Sequence, residues 1–220
     1  MSLSESHKIK CTECGNGFEI NEWNSINVED LPELREKTIS GEIFKFTCPK
    51  CKKEQIIIYD CLYFDRANKF MVQLLPEYPN KEYLFSAEEA KVITTFGNNI
   101  YRLATDYASF LEKVRVLSLG LNDKAVEICK SLAYSTYTIN NNEIPENAFF
   151  VKCDEKVMAF QMMLKDKKPK FMSIPMEFYN KVKLNLVNSP LSKESFSIRK
   201  IDLKWALTED VSKFLKELQK

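Results

Sequence analysis

Two Cys-x-x-Cys pairs, Cys11/Cys14 and Cys48/Cys51, are the residues of this chain whose types and spacing best suit chemistry. Two intervening residues let both sulfurs of a pair converge on one ion, and four thiolates make a tetrahedral metal site. We expect these four cysteines to bind zinc. Iron fits the same four-thiolate cage, so the sequence leaves the choice between the two metals open. A closed site of this kind stabilises a fold and performs no chemistry itself.

The other use of a Cys-x-x-Cys pair is as a redox dithiol, but neither pair opens a βαβ unit of the thioredoxin type. The chain has seven cysteines, and an odd number favours reduced thiols and a metal site over a disulfide framework. We expect the remaining three to lie in the core, because free cysteine packs as a small hydrophobe. They are Cys61, Cys129 and Cys153.

The residues around each pair predict the local turn. Gly15 directly follows the first pair, at a position that often needs a positive φ, whereas Lys52 occupies the equivalent place after the second pair and must bear more strain. Four thiolates around a divalent cation leave about two net negative charges. Four neighbouring lysines can offset that charge: Lys10, Lys50, Lys52 and Lys53.

The stretch between Cys14 and Cys48 is longer than the roughly 15–20 residues of compact zinc ribbons, so something folded must lie between the pairs. Alternating apolar and polar residues predict strands at 18–23 and 43–46. Between them, Asp30 and Pro32 predict the start of a helix. Two more strands, 55–63 and 70–75, flank a polar turn at 65–69. The result is a four-stranded antiparallel sheet with a helical insert and the metal at one end.

From Ser86 the pattern becomes helical, with a capping box at its start and a long helix over 99–119. Gly120 and Asn122 predict a second helix in a hairpin with the first. Beyond a loop at 140–143, strands are predicted at 149–153, 157–164 and 170–174. A helix follows from Pro175, then a strand at 195–201 and a terminal amphipathic helix.

The N-terminal part of the chain also resembles a known family. The order Cys11-x-x-Cys14, Glu22-Trp23-Asn24-Ser25-Ile26-Asn27, Gly41-Glu42-Ile43-Phe44 and Cys48-Pro49-x-Cys51 is similar to that of the CpXC domain family of bacteria and archaea. The resemblance covers roughly residues 8 to 120. The resemblance implies a zinc-ribbon-like module, and it does not imply an enzymatic activity. Thr12 stands where the family's first motif has proline, which puts only the rigidity of that turn in question.

The predicted fold class is therefore α+β: a zinc-ribbon-like antiparallel sheet with a helical insert, followed by a helical hairpin and a smaller C-terminal α+β part. We expect a zinc-binding domain at 8–120, made of the sheet and the first long helix. The second hairpin helix and the C-terminal α+β region would occupy 121–220.

The residues offer little for catalysis. The only histidine, His7, falls in what reads as a mobile tail, which argues against Ser-His-Asp and Cys-His mechanisms. No phosphate-binding or dinucleotide-binding glycine motif is present. Asp60 and Asp65 could act as an acid–base pair in an enzyme, although Asp65 also suits a turn. We therefore expect a non-catalytic interaction module with a protein partner that the sequence does not identify.

Nucleic acid is the alternative partner, through the cysteine pairs and their lysines. The formal net charge of +1 gives no general attraction to it. The densest basic run is Lys165, Lys167, Lys168 and Lys170, which would need aromatic residues on the same surface, and the sequence offers only the nearby Phe171. Trp23 and Trp205 are expected to pack. No apolar run reaches the roughly 18 residues that span a bilayer, and no export signal is evident, so we expect a cytoplasmic protein without a membrane partner.

Overall fold

The computed structural model describes residues 1–76, 100–166, 168–193 and 200–218. The predicted α+β class is confirmed. The strands are β1 Leu3–Lys10, β2 Gly17–Asn27, β3 Lys45–Thr47, β4 Glu54–Ile56, β5 Cys61–Asp65, β6 Phe70–Leu74, β7 Ile100–Ala104, β8 Asn147–Cys153, β9 Val157–Met163 and β10 Lys170–Pro175. The helices are α1 Glu33–Ile39, α2 Tyr107–Ser118, α3 Asp123–Asn141, α4 Met176–Leu186, α5 Leu203–Ala206 and α6 Glu209–Leu218.

Within the described residues the chain forms two compact units, one lying in Met1–Arg115 and the other running from Val116 onward. The first unit contains both cysteine pairs. The second contains the end of α2, the helices that follow it and strands β8 to β10. The expected division into domains 8–120 and 121–220 stays a prediction.

The main sheet of the first unit has five strands in the order β1-β2-β5-β6-β7. β1 pairs antiparallel with β2, and β5 with β6, but β2 runs parallel to β5 and β6 runs parallel to β7. The prediction of a purely antiparallel four-stranded sheet is therefore wrong. A long crossover lets neighbouring strands run parallel, and the connection from β2 to β5 is long enough to hold α1 and the separate two-stranded ribbon β3–β4.

Three local predictions in this unit are also wrong. His7 lies in β1 and not in a mobile tail, because a polar edge strand gives little hydrophobic pattern. Asp30 does not cap α1, since its carboxylate accepts the Ser2 N–H and pairs with the N-terminal ammonium. The long helix predicted from residue 99 is strand β7 followed by α2, and Asp106 accepts the Ser109 N–H at the true helix start. The helical segment predicted from Ser86 lies outside the described residues.

The second unit is built on a three-stranded antiparallel sheet in the order β10-β9-β8. Its three strands and the helix after Pro175 are confirmed. The predicted roles of the residues between α2 and α3 are confirmed too, because Gly120 has a φ of +68° and the Asn122 side chain accepts the Ala125 N–H at the start of α3. Buried side chains of α3, α4 and one sheet face form the core. The strand predicted at 195–201 lies mostly outside the described residues.

Candidate metal centre

The first cysteine pair forms the tip of the hairpin between β1 and β2. The strands end with Lys10 opposite Gly17, so residues 11–16 make the loop, here named the first hairpin loop. The Cys11 N–H donates to the Asn16 carbonyl over 2.9 Å, and the Gly15 N–H donates back to the Cys11 carbonyl over 3.0 Å. Gly15 has a φ of +68°, as its position predicted.

The second pair forms the tip of the β3–β4 ribbon in the same way. Thr47 lies opposite Glu54, so residues 48–53 make the second hairpin loop. The Cys48 N–H donates to the Lys53 carbonyl over 2.9 Å, and the Lys52 N–H donates to the Cys48 carbonyl over 3.0 Å. Lys52 has a φ of +60°, a conformation that costs a residue with a side chain. The strain predicted for Lys52 is confirmed.

The second hairpin loop is held in place by a buried aromatic residue just before β3. Phe44 is fully buried, and its ring contacts the rings of Tyr59 and Phe110. Its carbonyl accepts the Ile57 N–H over 2.9 Å, and the Tyr59 hydroxyl donates to the Ile43 carbonyl over 2.8 Å. The short β3–β4 ribbon is thereby fixed to the first unit at its base, while its tip carries the cysteines.

The four sulfurs meet in one small cluster, here named the sulfur cage. The Sγ atoms of Cys11 and Cys51 are 3.6 Å apart, those of Cys14 and Cys48 are 3.7 Å apart, and all four lie within 4.8 Å of one another. A tetrahedral zinc ion with Zn–S bonds of about 2.3 Å has sulfurs about 3.8 Å apart. The distances are far longer than the roughly 2.05 Å of a disulfide, and all four cysteines are free thiols. The donor set and spacing therefore fit a four-coordinate metal ion.

The electrostatics of the sulfur cage also favour a cation. The pKa of Cys48 is lowered to about 6, chiefly because the backbone N–H of Cys51 points at its sulfur. For Cys51 the backbone N–H of Lys53 favours the thiolate, but lost hydration and the three other sulfurs outweigh it and raise the pKa to about 12. Thiols this close cannot all ionise unaided, whereas a divalent cation holds them all as thiolates.

A link between the two hairpins could not be found from the sequence. Gln55 in β4 accepts two hydrogen bonds through Oε1, from the Thr12 backbone N–H over 2.8 Å and from the Thr12 hydroxyl over 3.0 Å. A proline at position 12 has neither donor. The departure from the family's Cys-Pro-x-Cys pattern thus exchanges a rigid turn for two hydrogen bonds to the opposite hairpin. Neither residue carried a signal, because the partners are far apart in sequence.

The other cysteines are not part of the cage. Cys61 and Cys129 are fully buried, and Cys153 is half-buried. Burial raises the pKa of Cys129 to about 12, and burial together with a neighbouring aspartate raises the pKa of Cys61 and of Cys153. Raised values disfavour the thiolate, so none of the three is activated as a nucleophile.

The two aspartates considered for acid–base chemistry are not a pair. Asp60 precedes β5 and Asp65 ends it, which puts them roughly 16 Å apart at the usual strand rise. Asp65 is fully buried, pairs with Arg35 over 2.9 Å and accepts the Asn68 backbone N–H over 3.0 Å. Asp65 is therefore a turn and ion-pair residue, and the acid–base reading of the two carboxylates is wrong.

Trp23 in β2 and Trp205 in α5 are both half-buried, and Lys165, Lys168, Lys170 and Phe171 are exposed around the β9–β10 connection. Lys167 lies outside the described residues. None of the described helices has the length and apolar content that crossing a bilayer requires.

Fold and site together define an α+β protein with a candidate four-cysteine metal centre at the meeting point of two hairpins. The family model described as CpXC protein matches residues 9–130, which is more than half of the chain, so the chain belongs to the CpXC family. The predicted family is confirmed. No curated protein and no solved structure matches the chain. The family match includes both hairpins and ends within α3, so most of the second unit lies beyond it.

Proposed function

We propose that this protein is a zinc-binding interaction module in which Cys11, Cys14, Cys48 and Cys51 hold a structural metal ion. The observation that carries the proposal is the approach of four sulfurs from two hairpins to within 4.8 Å of one another. A zinc ion with four thiolate ligands has no open coordination position, whereas catalytic zinc keeps one for water or substrate. The bound ion would cross-link the two hairpin tips, and the protein would present a binding surface around them.

The charges around the cage support this role. Four thiolates and one divalent cation carry about two negative charges. Lys10, Lys50, Lys52 and Lys53 are all exposed beside the cysteines, and their ammonium groups can offset that charge. The lysines therefore have a use at the metal centre that requires no external anion.

A protein partner is supported by exposed apolar side chains next to the cage. Ile56 in β4 is 54% exposed and Ile58 is 45% exposed. Ile56 ends β4 and Ile58 lies two residues further along the chain, so two exposed apolar side chains lie close together in sequence after the second hairpin loop, here named the strip. Contiguous exposed apolar patches mark interaction sites on soluble proteins, and we propose this strip as part of such a patch.

The structural role of the metal is tested with two serine variants at equally buried cysteines. Cys48→Ser should lose the metal and lower the melting temperature of the first unit, because metal binding contributes to folding. Cys61→Ser is the matched control, since Cys61 is also fully buried but lies outside the cage, and it should keep its metal. Thermal unfolding and metal analysis of both variants measure this. Equal metal content in the two variants would contradict the proposal.

The interaction role is tested separately by replacing both isoleucines of the strip, Ile56→Ser with Ile58→Ser. The variant should keep its metal but no longer retain the proteins that the immobilised wild type captures. Ile144→Ser is the control, because Ile144 is 72% exposed in the second unit. Capture of the same proteins by the strip variant and the wild type would contradict an interaction surface at this place.

A further inference from the structure

The three-stranded sheet β8–β10 has one face that packs against helices and one that turns away from them. Met158, Phe160 and Met162 of the central strand β9 are fully buried in the core with residues of α3 and α4. Successive side chains of a strand point to opposite faces. The intervening residues of β9 therefore form the middle of the second face, here named the outer face. They are Val157, Ala159, Gln161 and Met163, and each is half-buried or exposed.

An aromatic–amide–aromatic row crosses the outer face. Phe149 of β8 and Phe171 of β10 both lie opposite Gln161 in the register of the sheet. Directly opposed residues share a face, so the two aromatic residues flank the glutamine, with about 10 Å between their backbones by two strand spacings. The Phe149 ring also has the Nζ of Lys130, a buried residue of α3, 6.0 Å from its centroid. Phe171 is 58% exposed and Phe149 is half-buried. The sequence had suggested Phe171 alone, because nothing in it shows that Phe149 lies in the same row.

A register shift brings a lysine onto the same face. The pairing of β8 with β9 shifts between Phe150 and Lys152, as it does at a β-bulge. Without the shift Lys152 would share the buried face of Phe150, but with it Lys152 lies opposite Ala159, next to the aromatic row. Ser173 of β10 also lies opposite Ala159. The neighbouring row across the sheet therefore consists of Lys152, Ala159 and Ser173. The side chains of Ala159 and Ser173 are small, so they do not cover the aromatic row.

Lysines lie at both ends of this face, interspersed with the exposed carboxylates Asp154, Glu155 and Asp166. Lys152 is exposed, and its charge interacts with that of the Asp154 carboxylate. The nearby Asp154 carboxylate accepts the N–H groups of Lys156 and Val157 and so closes the β8–β9 turn. At the other end of the sheet Lys165, Lys168 and Lys170 are exposed.

We propose that the outer face of the β8–β10 sheet binds single-stranded nucleic acid. Bases would stack on Phe171 and Phe149, Gln161 would hydrogen-bond to the edge of a base between them, and Lys152 would contact the phosphate backbone. Sheets that bind single strands combine these features: aromatic side chains on an open face for stacking, and cations along the backbone path. The site lies in the second unit and does not depend on the sulfur cage.

The test is fluorescence anisotropy of the full-length protein with labelled 12-nucleotide single strands of mixed sequence, RNA and DNA, at 50 mM salt. Phe171→Ala should weaken binding about 5- to 100-fold, the usual loss for one stacked base. Phe171→Trp should bind within about threefold of wild type, because it keeps a stacking surface, and Phe171→Leu should resemble the alanine variant. Leu184→Ala is the matched control, since Leu184 is 72% exposed on α4, and it should not change binding.

Lys152 is tested by the salt dependence of the same binding. Losing one phosphate contact makes the slope of log K against log salt shallower by about 0.7 for a single strand. Lys152→Ala should show this change, and Lys183→Ala on the exposed side of α4 should keep the wild-type slope. Circular dichroism checks that each variant is folded, which is expected because both side chains are exposed.

Any of the following results would overturn the proposal. The first is no binding to either strand at 50 mM salt, and the second is wild-type affinity in Phe171→Ala. The third is self-association of the wild type that Phe171→Ala abolishes, since a second copy would then cover the face. If binding persists in Phe171→Ala but is lost when Lys50, Lys52 and Lys53 are replaced by alanine, the nucleic-acid site lies at the sulfur cage instead. None of these results bears on metal content, so the proposed function is tested independently.

Discussion

The first hairpin loop, residues 11–16, and the second, residues 48–53, contain the same pair of backbone hydrogen bonds around their first cysteine. Both turns also need a positive φ at the residue after the second cysteine. The first loop has Gly15 at this position, whereas the second loop has Lys52. Two loops with the same backbone geometry therefore differ in the conformational strain that they bear.

The two loops differ as well in what holds them. The first closes the long strands β1 and β2 of the main sheet, whereas the second closes β3 and β4, which have three residues each. The second cysteine of the first loop, Cys14, is half-buried, while its counterpart Cys51 is exposed. The comparison indicates that the first loop is supported mainly by its sheet. If the four cysteines hold a metal ion, as we propose, the second loop should depend on it more than the first.

Removing the metal should have the largest effect and should separate the two loops. Structural zinc sites contribute on the order of 10 kcal/mol of binding free energy at neutral pH. Treatment with a chelator should expose the amides of Cys48 and Lys52 to hydrogen exchange, while those of Cys11 and Gly15 stay partly protected by the sheet. Peptide-level hydrogen–deuterium exchange measures this, with β8–β10 as the internal control. Equal loss of protection in both loops would contradict the unequal dependence.

Replacing Gly15 should have the next largest effect. An added Cβ meets nothing within 4 Å, so Gly15→Ala isolates the backbone cost of a φ of +68°. We expect a loss of about 1–2 kcal/mol in the free energy of unfolding. Urea denaturation of the metal-bound protein measures it. Gly17→Ala is the control, because Gly17 lies in β2 without a positive φ. No difference between the two variants would show that the first loop does not need glycine at this position.

The link between the loops should contribute somewhat less. Gln55→Leu removes the acceptor of both Thr12 hydrogen bonds and should cost about 1 kcal/mol. Thr12→Val keeps the backbone donor and removes only the hydroxyl, so its cost should be smaller. The same urea experiment ranks the two variants. A larger loss in Thr12→Val than in Gln55→Leu would contradict the assignment of both bonds to Gln55.

The smallest expected effect is a gain. Lys52→Gly relieves the strained φ of +60° and should stabilise the second loop, although glycine loses more conformational freedom on folding. The net gain should be about 0.5–1 kcal/mol. Asn142 also has a positive φ but lies at the end of α3, away from the cage. Urea denaturation of the metal-bound protein measures the gain, and Asn142→Gly serves as the control for replacing a residue of positive φ away from the cage. A loss of stability in Lys52→Gly would mean that the lysine side chain contributes more than its strained backbone costs.

The features that the sequence predicted well are local ones. Gly15 after the first cysteine pair and Asn122 before α3 each act within a few residues of themselves, and the structure has both in the expected role. The predictions that were wrong concern the pairing of strands that are distant in sequence. Alternation of apolar and polar residues identified β2 and β5 as strands, but it cannot tell that they run parallel.

The same distinction explains the residues that the sequence did not reveal. Gln55 is recognisable as a link only in the folded chain, where it accepts a hydrogen bond from Thr12. Phe149 and Phe171 share a row only because both pair with the same residue of β9, which lies between their strands. The helix predicted over β7 failed for a different reason. Ile100–Ala104 is too short for the spacing of its apolar residues to distinguish a strand from a helix, and the capping residue Asp106 falls inside the predicted helix.

The central claim is that four cysteines from two hairpins hold one metal ion, and metal content measures it most directly. Mass-spectrometric metal analysis of the purified protein should find one ion per chain, with zinc as the expected element and iron as the alternative that the same donor set accepts. The content should fall to near zero in Cys48→Ser and stay at one in Cys61→Ser. Well under one zinc or iron per chain in the wild type would contradict the account.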